Sequence, residues 1–503
     1  MTSTQDALKD SSTAPDPRRW LALLVIAIAQ LMVVLDATIV NIALPSAQRA
    51  LHITDSDRQW VVTAYTLAFG GLLLLGGRIA DYAGRKRVFI IGLIGFGLAS
   101  GLGGAAPNSG LLLAARALQG AFGALLAPAS LSLISVTFTE VKERAKAFGV
   151  YGAIAGGGAA IGLVLGGILT QYASWRFCLF VNIPISLVAV LLAIPFVHES
   201  RATGDTRYDI PGAIAATLGL VSLVYGFTKV GEIKPGTGVS GPAEVNGWLS
   251  TQAWPFYLIA FLLLVAFVLI ERRATHPLLP LRVILDRNRG GSYLTSLIIG
   301  LALFGMFLFL TYYLQGTLHY TPLGAGIAFL PFSGGIIFAA GLTSQLLPRV
   351  GPRILMTAGT VMASVGMLWL TQIGVDTAYV SHVLPSELIM SIGMGFVFVP
   401  LASTALIGVG NHDAGVASAL VNTTQQIGGS LGTALLNTVA TTATATYVAA
   451  NGPRAIPQGL VHGYTQAFVV SSIGLLVAAV VAYLFITPGT PEVHVGDLLA
   501  VPA

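Results

Sequence analysis

Fourteen uninterrupted apolar runs, most of them 20 residues or longer, dominate this 503-residue chain. Six lie near 20–44, 59–79, 88–107, 110–136, 146–170 and 176–197. Two follow near 209–229 and 253–271. Six more lie near 291–316, 323–346, 353–373, 384–407, 414–440 and 464–487. A helix needs about 20 apolar residues to cross about 30 Å of hydrocarbon. Barrel strands are about 10 residues long with alternating polarity, and these runs do not alternate. The chain carries 26 basic and 21 acidic residues, where an average soluble chain of this length would carry roughly 125 charges. It cannot be wetted on all sides. Its 55% hydrophobic content excludes disorder, and a lone cysteine, Cys178, excludes an internal disulfide scaffold. The expectation is an all-α integral membrane protein with fourteen transmembrane helices.

The first run is longer than a signal-peptide core and no small-residue cleavage site follows it, so it reads as a span. Residues 1–19 are polar and aperiodic and read as a disordered cytoplasmic tail. Residues 489–503 read as a second cytoplasmic tail. With both termini cytoplasmic, 19 of the 26 Lys and Arg fall in cytoplasmic segments, 6 fall outside, and Arg116 lies within span four. That bias obeys the positive-inside rule. It accounts for a pI near 9.3 without any nucleic-acid partner.

The spans group as six, two and six. This suggests a six-helix bundle over 20–200, a linker with two extra spans over 201–288, and a second bundle over 289–488. Two short basic turns support a duplication. GGRIADYAGRKR follows span two and LLPRVGPR follows span ten, with Gly84 matching Gly351 and Lys86 matching Arg353 at one offset. Pro348 stands where the second copy would repeat Asp81. Duplicated halves are the build of secondary transporters, with the substrate site at the midplane between them.

Several motifs, in order, carry a resemblance across nearly the whole chain. GGRIADYAGRKR resembles the cytoplasmic signature of the major facilitator superfamily, with Gly77, Asp81, Gly84, Arg85 and Lys86 in place. LDATIVNIALP (35–45), RALQGAFGA (116–124) and SWRFCLFVNIP (174–184) resemble signatures of its fourteen-span drug:proton antiporter family (EmrB/QacA type), as does GVASALVNTTQQIGGSLGTAL. The fifth span matches the antiporter signature at Gly149, Gly158, Gly162, Gly166 and Gly167, with Leu163 where the family usually has Pro. The resemblance implies a major facilitator fold and proton-coupled efflux by alternating access.

The residues themselves point the same way. The charges around Asp81 are expected to latch the two halves on the cytoplasmic side, with Gly77 and Gly84 allowing close packing and φ > 0. The small residues of span five suit a sliding interface between the halves; static packing would use the same residues. Asp36 falls about 24 Å along span one, inside the membrane, where an acid is costly and functional by default. It reads as the proton-coupling acid, with Arg116 its candidate partner; a purely structural ion pair is the alternative. Glu387 reads as lying at the outer interface, with a candidate role in cation or proton binding. Polar residues within spans are candidates for lining a substrate cavity or for bonding helices together: Asn41, Tyr65, Tyr312, Tyr313, Gln315, Asn422, Gln425 and Gln426. No P-loop, metal-binding spacing or hydrolase motif is present, so no cofactor, metal or catalytic residue is expected.

Two functions share these motifs. One is a proton-coupled exporter of amphipathic, cationic drug-like compounds. The other is a dedicated exporter of one endogenous metabolite, antibiotic, peptide or lipid. Either would sit in the plasma membrane, with protons, a small-molecule substrate and the lipid bilayer as partners, and would work as a monomer.

Overall fold

The computed structural model describes residues 18–55, 57–138, 140–201, 209–232, 245–274, 279, 281–405 and 414–488. The two expected tails fall almost wholly outside these residues, and the 233–244 connection wholly so. Among the described residues every element is helical. We number the long helices α1 (Arg19–Leu51), α2 (Trp60–Ala83), α3 (Arg85–Gly104), α4 (Ser109–Thr137), α5 (Val141–Tyr172), α6 (Phe177–Phe196), α7 (Ile210–Gly231), α8 (Trp254–Arg273), α9 (Arg287–Thr317), α10 (Pro322–Val350), α11 (Pro352–Gln372), α12 (Tyr379–Thr404), α13 (Ala414–Asn451) and α14 (Pro453–Phe485). In hydrocarbon only a helix or a closed barrel satisfies its own backbone, and the continuous apolar runs select the helix. Among the described residues, twelve of these helices are long and apolar enough to cross a membrane. The other two, α5 and α13, are 32 and 38 residues long.

Helix starts are marked where the sequence supplies a cap. Asn108 Oδ1 accepts from the Leu111 amide at 2.9 Å, Asp286 Oδ1 from Arg289 at 3.0 Å and Thr321 Oγ1 from Gly324 at 3.1 Å. Gly84 and Gly351, the matched turn positions, separate α2 from α3 and α10 from α11 at φ +112° and +82°. Few residues but glycine take such angles without strain, so the two turns are conformational as well as sequence repeats.

Helices α1–α6 pack together, and α9–α14 do likewise. Backbones touch where glycine removes the side chain. A Cβ at Gly76 would overlap the Ala124 carbonyl between α2 and α4, and one at Gly428 would overlap the Leu297 carbonyl between α13 and α9. Helix α7 lies along the seam where α2 meets α13. Thr228 accepts from Gln59 Nε2 at 2.9 Å and Trp60 Nε1 at 3.1 Å, and Thr438 donates to the Phe227 carbonyl at 2.7 Å. Helix α8 packs on α7 and presents Phe261 and Leu262 outward.

The two ends of the molecule differ. One end carries the start of α1 and the end of α14, and we call it the tail end. At the opposite, far end the halves are joined. Arg58 Nε donates to Asn437 Oδ1 at 3.1 Å, and Asn437 Nδ2 donates to the Asp55 carbonyl at 2.9 Å. Tyr312 Oη donates to Gln48, and Gln315 Nε2 donates to the Ile42 carbonyl at 3.0 Å. A single apolar cluster runs through both halves here, including Leu35–Leu44 positions of α1, Leu163, Met306 and Phe329. Towards the tail end the first half has its own cluster around Met32, Phe69, Phe89 and Leu133, with Ala419 its one buried member from α13. Among the described residues, the hydrogen bonds between halves lie from the far end down to Thr66–Ser430, at 2.6 Å. The far end is the closed end in this structure.

Candidate functional site

Asp36 and Arg116 meet inside the first half. The apolar run of α1 carries Asp36 deep into the bundle, and α4 enters from its Asn108 cap to place Arg116 opposite. Arg116 Nη1 lies 2.6 Å from Asp36 Oδ2, and the side chains are 1% and 0% exposed. Such a pair needs further hydrogen bonds to offset desolvation, and it has them. Asp36 Oδ1 accepts from Gln119 Nε2 at 2.9 Å and Asn182 Nδ2 at 2.8 Å. Arg116 donates through Nε to the Val61 carbonyl at 3.1 Å and through Nη1 to Gln119 Oε1 at 2.9 Å. Ser100 Oγ lies 2.5 Å from Gln119 Nε2 and 3.1 Å from Asn182 Nδ2. The Tyr65 ring covers the guanidinium, 4.5 Å from its centroid. Five helices thus contribute to one network around the carboxylate, and a small apolar cavity lined by Val40, Ala43, Leu112, Trp175 and Cys178 reaches Arg116.

Gln119, Ser100 and Asn182 were not among the expected site residues. Gln119 had a signal: three residues beyond Arg116, it shares that helix face. Asn182 lies within the quoted SWRFCLFVNIP run. Ser100 had no distinguishing signal.

The candidates for a substrate cavity separate. Tyr65 belongs to the Asp36 network rather than to a midplane cavity, because its ring stacks on Phe69 and faces Arg116. Tyr313 is buried within the second half and donates to the Gly374 carbonyl at 2.8 Å, so it lines no space between halves. Tyr312 and Gln315 sit in the far-end contact. There the Arg58 guanidinium lies over the Tyr312 ring at 4.1 Å. Both residues also line a cavity of about 520 Å3 at that end, with Gln48, Arg49 and His52. Asn41 is nearly buried on α1, and its Nδ2 reaches only its own helix at Ala37, 3.4 Å away. Asn422 is exposed on α13. Gln425 and Gln426 are partly buried, Gln425 lining the α9 contact with its backbone and Gln426 facing Gly70 of α2.

Glu387 is not at an interface with water. It is 0% exposed, with Tyr379 of the preceding π-helical turn 3.2 Å from its Oε2.

The span-five glycines also divide. Cβ atoms at Gly158, Gly162 and Gly166 would press on Leu31, Thr38 and Ile39 of α1, within the same half. That is packing inside one bundle, not a sliding contact between two. Gly167 alone of the five faces the other half, 2.6 Å from Leu323 Cα by the same construction, and Gly149 meets nothing. Helix α5 continues unbroken through Leu163, whose carbonyl rests against Gly326 of α10.

The charged turn at the tail end is local. Arg85 Nη2 lies 2.8 Å from Asp81 Oδ1, one helical turn away across Gly84. Glu199, at the end of α6, accepts from the Lys86 and Arg87 amides at 3.1 Å each, and Lys86 Nζ donates to the Ile194 carbonyl at 2.7 Å. No bond from Asp81, Arg85 or Lys86 reaches the second half among the described residues. Among the described residues the expected latch between halves is therefore unmade, as a closed far end requires if the halves rock as rigid bodies. A Cβ added at Gly77 would lie 3.4 Å from Pro128 of α4, an ordinary packing distance.

A sequence profile of the Major Facilitator Superfamily matches residues 26–433. The chain belongs to that superfamily. It is a multi-span membrane transporter, not an enzyme. Among similar proteins, the puromycin resistance protein pur8 of Streptomyces alboniger is 51% identical over 95% of this chain and 93% of its own. The cephamycin export protein CmcT of Amycolatopsis lactamdurans is 36% identical over 95% of each. The multidrug resistance protein Stp of Mycobacterium tuberculosis is 30% identical over 95% of this chain and 83% of its own. Solved transporter structures share the fold at low identity. A bacterial homologue of the lysosomal transporter Spinster aligns with TM-score 0.63 at 15% identity, over 94% of this chain and 97% of that one. The D-xylose–proton symporter aligns with TM-score 0.61 at 14% identity, covering 94% and 98%.

Proposed function

We propose that this transporter is a drug:proton antiporter that exports amphipathic, cationic compounds by alternating access. The observation that carries the reading is the buried Asp36–Arg116 pair in a chain whose relatives confer antibiotic resistance. An exporter needs a group in the membrane that takes up and releases a proton. Arg116 cannot serve at usable pH, whereas a carboxyl group such as Asp36 can, and Arg116, Gln119 and Asn182 hold that group in place by hydrogen bonding to it. Because Asp36 is enclosed within one half, its protonation acts on substrate through helix movement rather than by direct contact. Asn41, Asn422 and Gln426 remain the candidates for touching substrate.

We further assign all fourteen helices as spans, α7 and α8 being the two extra ones, which makes the chain a member of the fourteen-span branch. The tail end is then cytoplasmic, both termini lie inside the plasma membrane, and the structure is closed towards the exterior. The transporter works as a monomer.

Dye efflux from everted vesicles under an imposed proton gradient tests the reading. Asp36→Asn is expected to abolish proton-driven efflux while the protein still inserts, and Asp36→Glu to retain part of it. Efflux by the Asn variant with unchanged pH dependence overturns the assignment. A second reading, export of a single antibiotic, is favoured by the relatives named for puromycin and cephamycin. A substrate panel separates the two: transport of one compound and no dyes selects the dedicated exporter.

A further inference from the structure

We propose that Glu387 is a second proton-binding site, in the second half of the molecule, and that its proton permits the far-end seal to close. The proposal rests on the proton-coupled reading and adds a group which that reading does not use.

Proton counting supplies the first observation. Tyr379 Oη lies 2.7 Å from the Ala328 carbonyl oxygen and 3.2 Å from Glu387 Oε2. A phenol has one proton to donate and a carbonyl has none. The shorter contact, to Ala328, takes the phenol's proton. A proton on the carboxyl group itself would complete the 3.2 Å contact with Tyr379. The second observation is isolation. Glu387 is 0% exposed, its Oε1 is buried with no hydrogen-bond partner, and no basic side chain pairs with it among the described residues. An ionised carboxylate there would be uncompensated, which burial strongly disfavours. Tyr379 is the titratable side chain that reaches it. Tyr320 stands behind Tyr379 with ring centroids 6.3 Å apart, Asp376 acts on Tyr313, and His382 faces Ser381 at 2.8 Å.

The third observation ties the acid to the seal. Ala328 ends the short first segment of α10, Pro322–Ala328, before the break at Phe329. That segment is what α5 packs on at the far end. Gly326 meets the Leu163 carbonyl, Leu323 meets Gly167, and the Leu323 amide donates to Gln171 Oε1 at 3.3 Å. Loss of the Glu387 proton to far-side water would leave a carboxylate that draws the Tyr379 proton into a charge-assisted bond. The Ala328 carbonyl would lose its donor, and the segment would be released from α12. Uptake of a proton from far-side water reverses each step. Protons from the far side therefore favour closure of that side, the direction a proton-driven exporter needs, while Asp36 carries the coupling across the membrane.

Spin labels at Tyr172→Cys and His319→Cys, both exposed at the far end, report the seal in full-length protein in nanodiscs, with Cys178→Ser removing the native thiol. Distances are measured from about pH 5 to about pH 9. The parent protein is expected to gain an open, long-distance population as pH rises, its open-to-closed ratio changing about tenfold per pH unit for one proton. Glu387→Gln is expected to stay closed throughout, and Glu387→Asp to open with a shifted midpoint. Opening of the Gln variant with the parent's pH dependence overturns the proposal, as does a pH-independent parent. In the same background Asp36→Asn is expected to keep the transition. A chain whose efflux ignores proton gradients but whose seal still responds through Glu387 would sink the antiporter reading and leave this one standing.

Discussion

Asp36 shows how much one side chain can require of its surroundings. Its carboxylate takes three donors from three residues, and its cation is itself held by a backbone carbonyl and an amide oxygen. Arg116→Ala removes the cation and leaves the acid unpaired, so a loss of about 3–5 kcal/mol is expected, read as a lowered unfolding temperature in detergent. Arg116→Lys is expected to be nearly as damaging, since an ammonium cannot reproduce the fork that spans Asp36, Gln119 and Val61. At the tail end, Arg19 Nη2 lies 2.6 Å from Glu143 and holds its carboxyl below the usual range, chiefly through that hydrogen bond. A carboxylate with a depressed folded value stabilises the protein above its ordinary range, and that stabilisation is lost as pH falls through it. Stability measured against Glu143→Gln is expected to converge as the solution is acidified from neutrality; a constant difference would show the pair to be without effect.

Among the elements, α5 does two jobs on two faces. One face, through Gly158, Gly162 and Gly166, beds into α1; the edge at Leu163 and Gly167 meets α10 of the other half. Gly326→Leu places a side chain where the Leu163 carbonyl now rests, with nowhere to go within a closed far end. Insertion is expected to be normal, transport to be lost, and far-end cysteines to become more accessible to impermeant thiol reagents. Ordinary transport by that variant would show the α5–α10 contact to be incidental. The turn from α2 to α3 makes a different demand. Gly84 combines φ +112° with a position 2.8 Å from Glu199 if a Cβ were added. Gly84→Ala is expected to destabilise by about 1–3 kcal/mol from the backbone alone, and Glu199→Ala to free two amides at the start of α3 at about 1 kcal/mol. Both are measurable by unfolding in detergent.

For the whole molecule, closure at one end is a statement about which contacts coexist. Gln48 with Tyr312, Asp55 and Arg58 with Asn437, and α5 with α10 all join the halves at the far end, while the Asp81 turn stays within its own half. Rocking would exchange the first set for contacts made by the second. Cysteines at Gln48 and Tyr312, cross-linked by a short bifunctional reagent, are expected to halt transport until the link is cleaved. Undiminished transport with the link intact would mean that the far end does not open in the cycle. Labelling from either side is expected to find positions near Lys86, Arg144 and Arg287 inside the cell and positions near Gly238 outside.

The length of the apolar runs alone determined that the long elements are helices, twelve of them among the described residues long and apolar enough to cross a membrane, because hydrocarbon leaves an apolar chain no other way to satisfy its backbone. The matched glycine turns were legible because positive φ restricts the residue type. The Asp36–Arg116 pair was legible because opposite charges deep in adjacent spans have few stable alternatives to meeting. What sequence could not decide was facing. Tyr65, Tyr312, Tyr313 and Gln315 are all polar residues in apolar runs, yet one covers an arginine, two join the halves and one is sealed inside a bundle. A rotation of one residue, 100° about the helix axis, separates these outcomes, and only packing sets it. Glu387 was misplaced for a related reason: its position near the end of an apolar run suggested an interface, and only the packing around α12 shows the side chain buried. The span-five glycines announce a close approach, but only the tertiary structure shows that most of it is to α1, because a missing side chain records that something is near and not what it is.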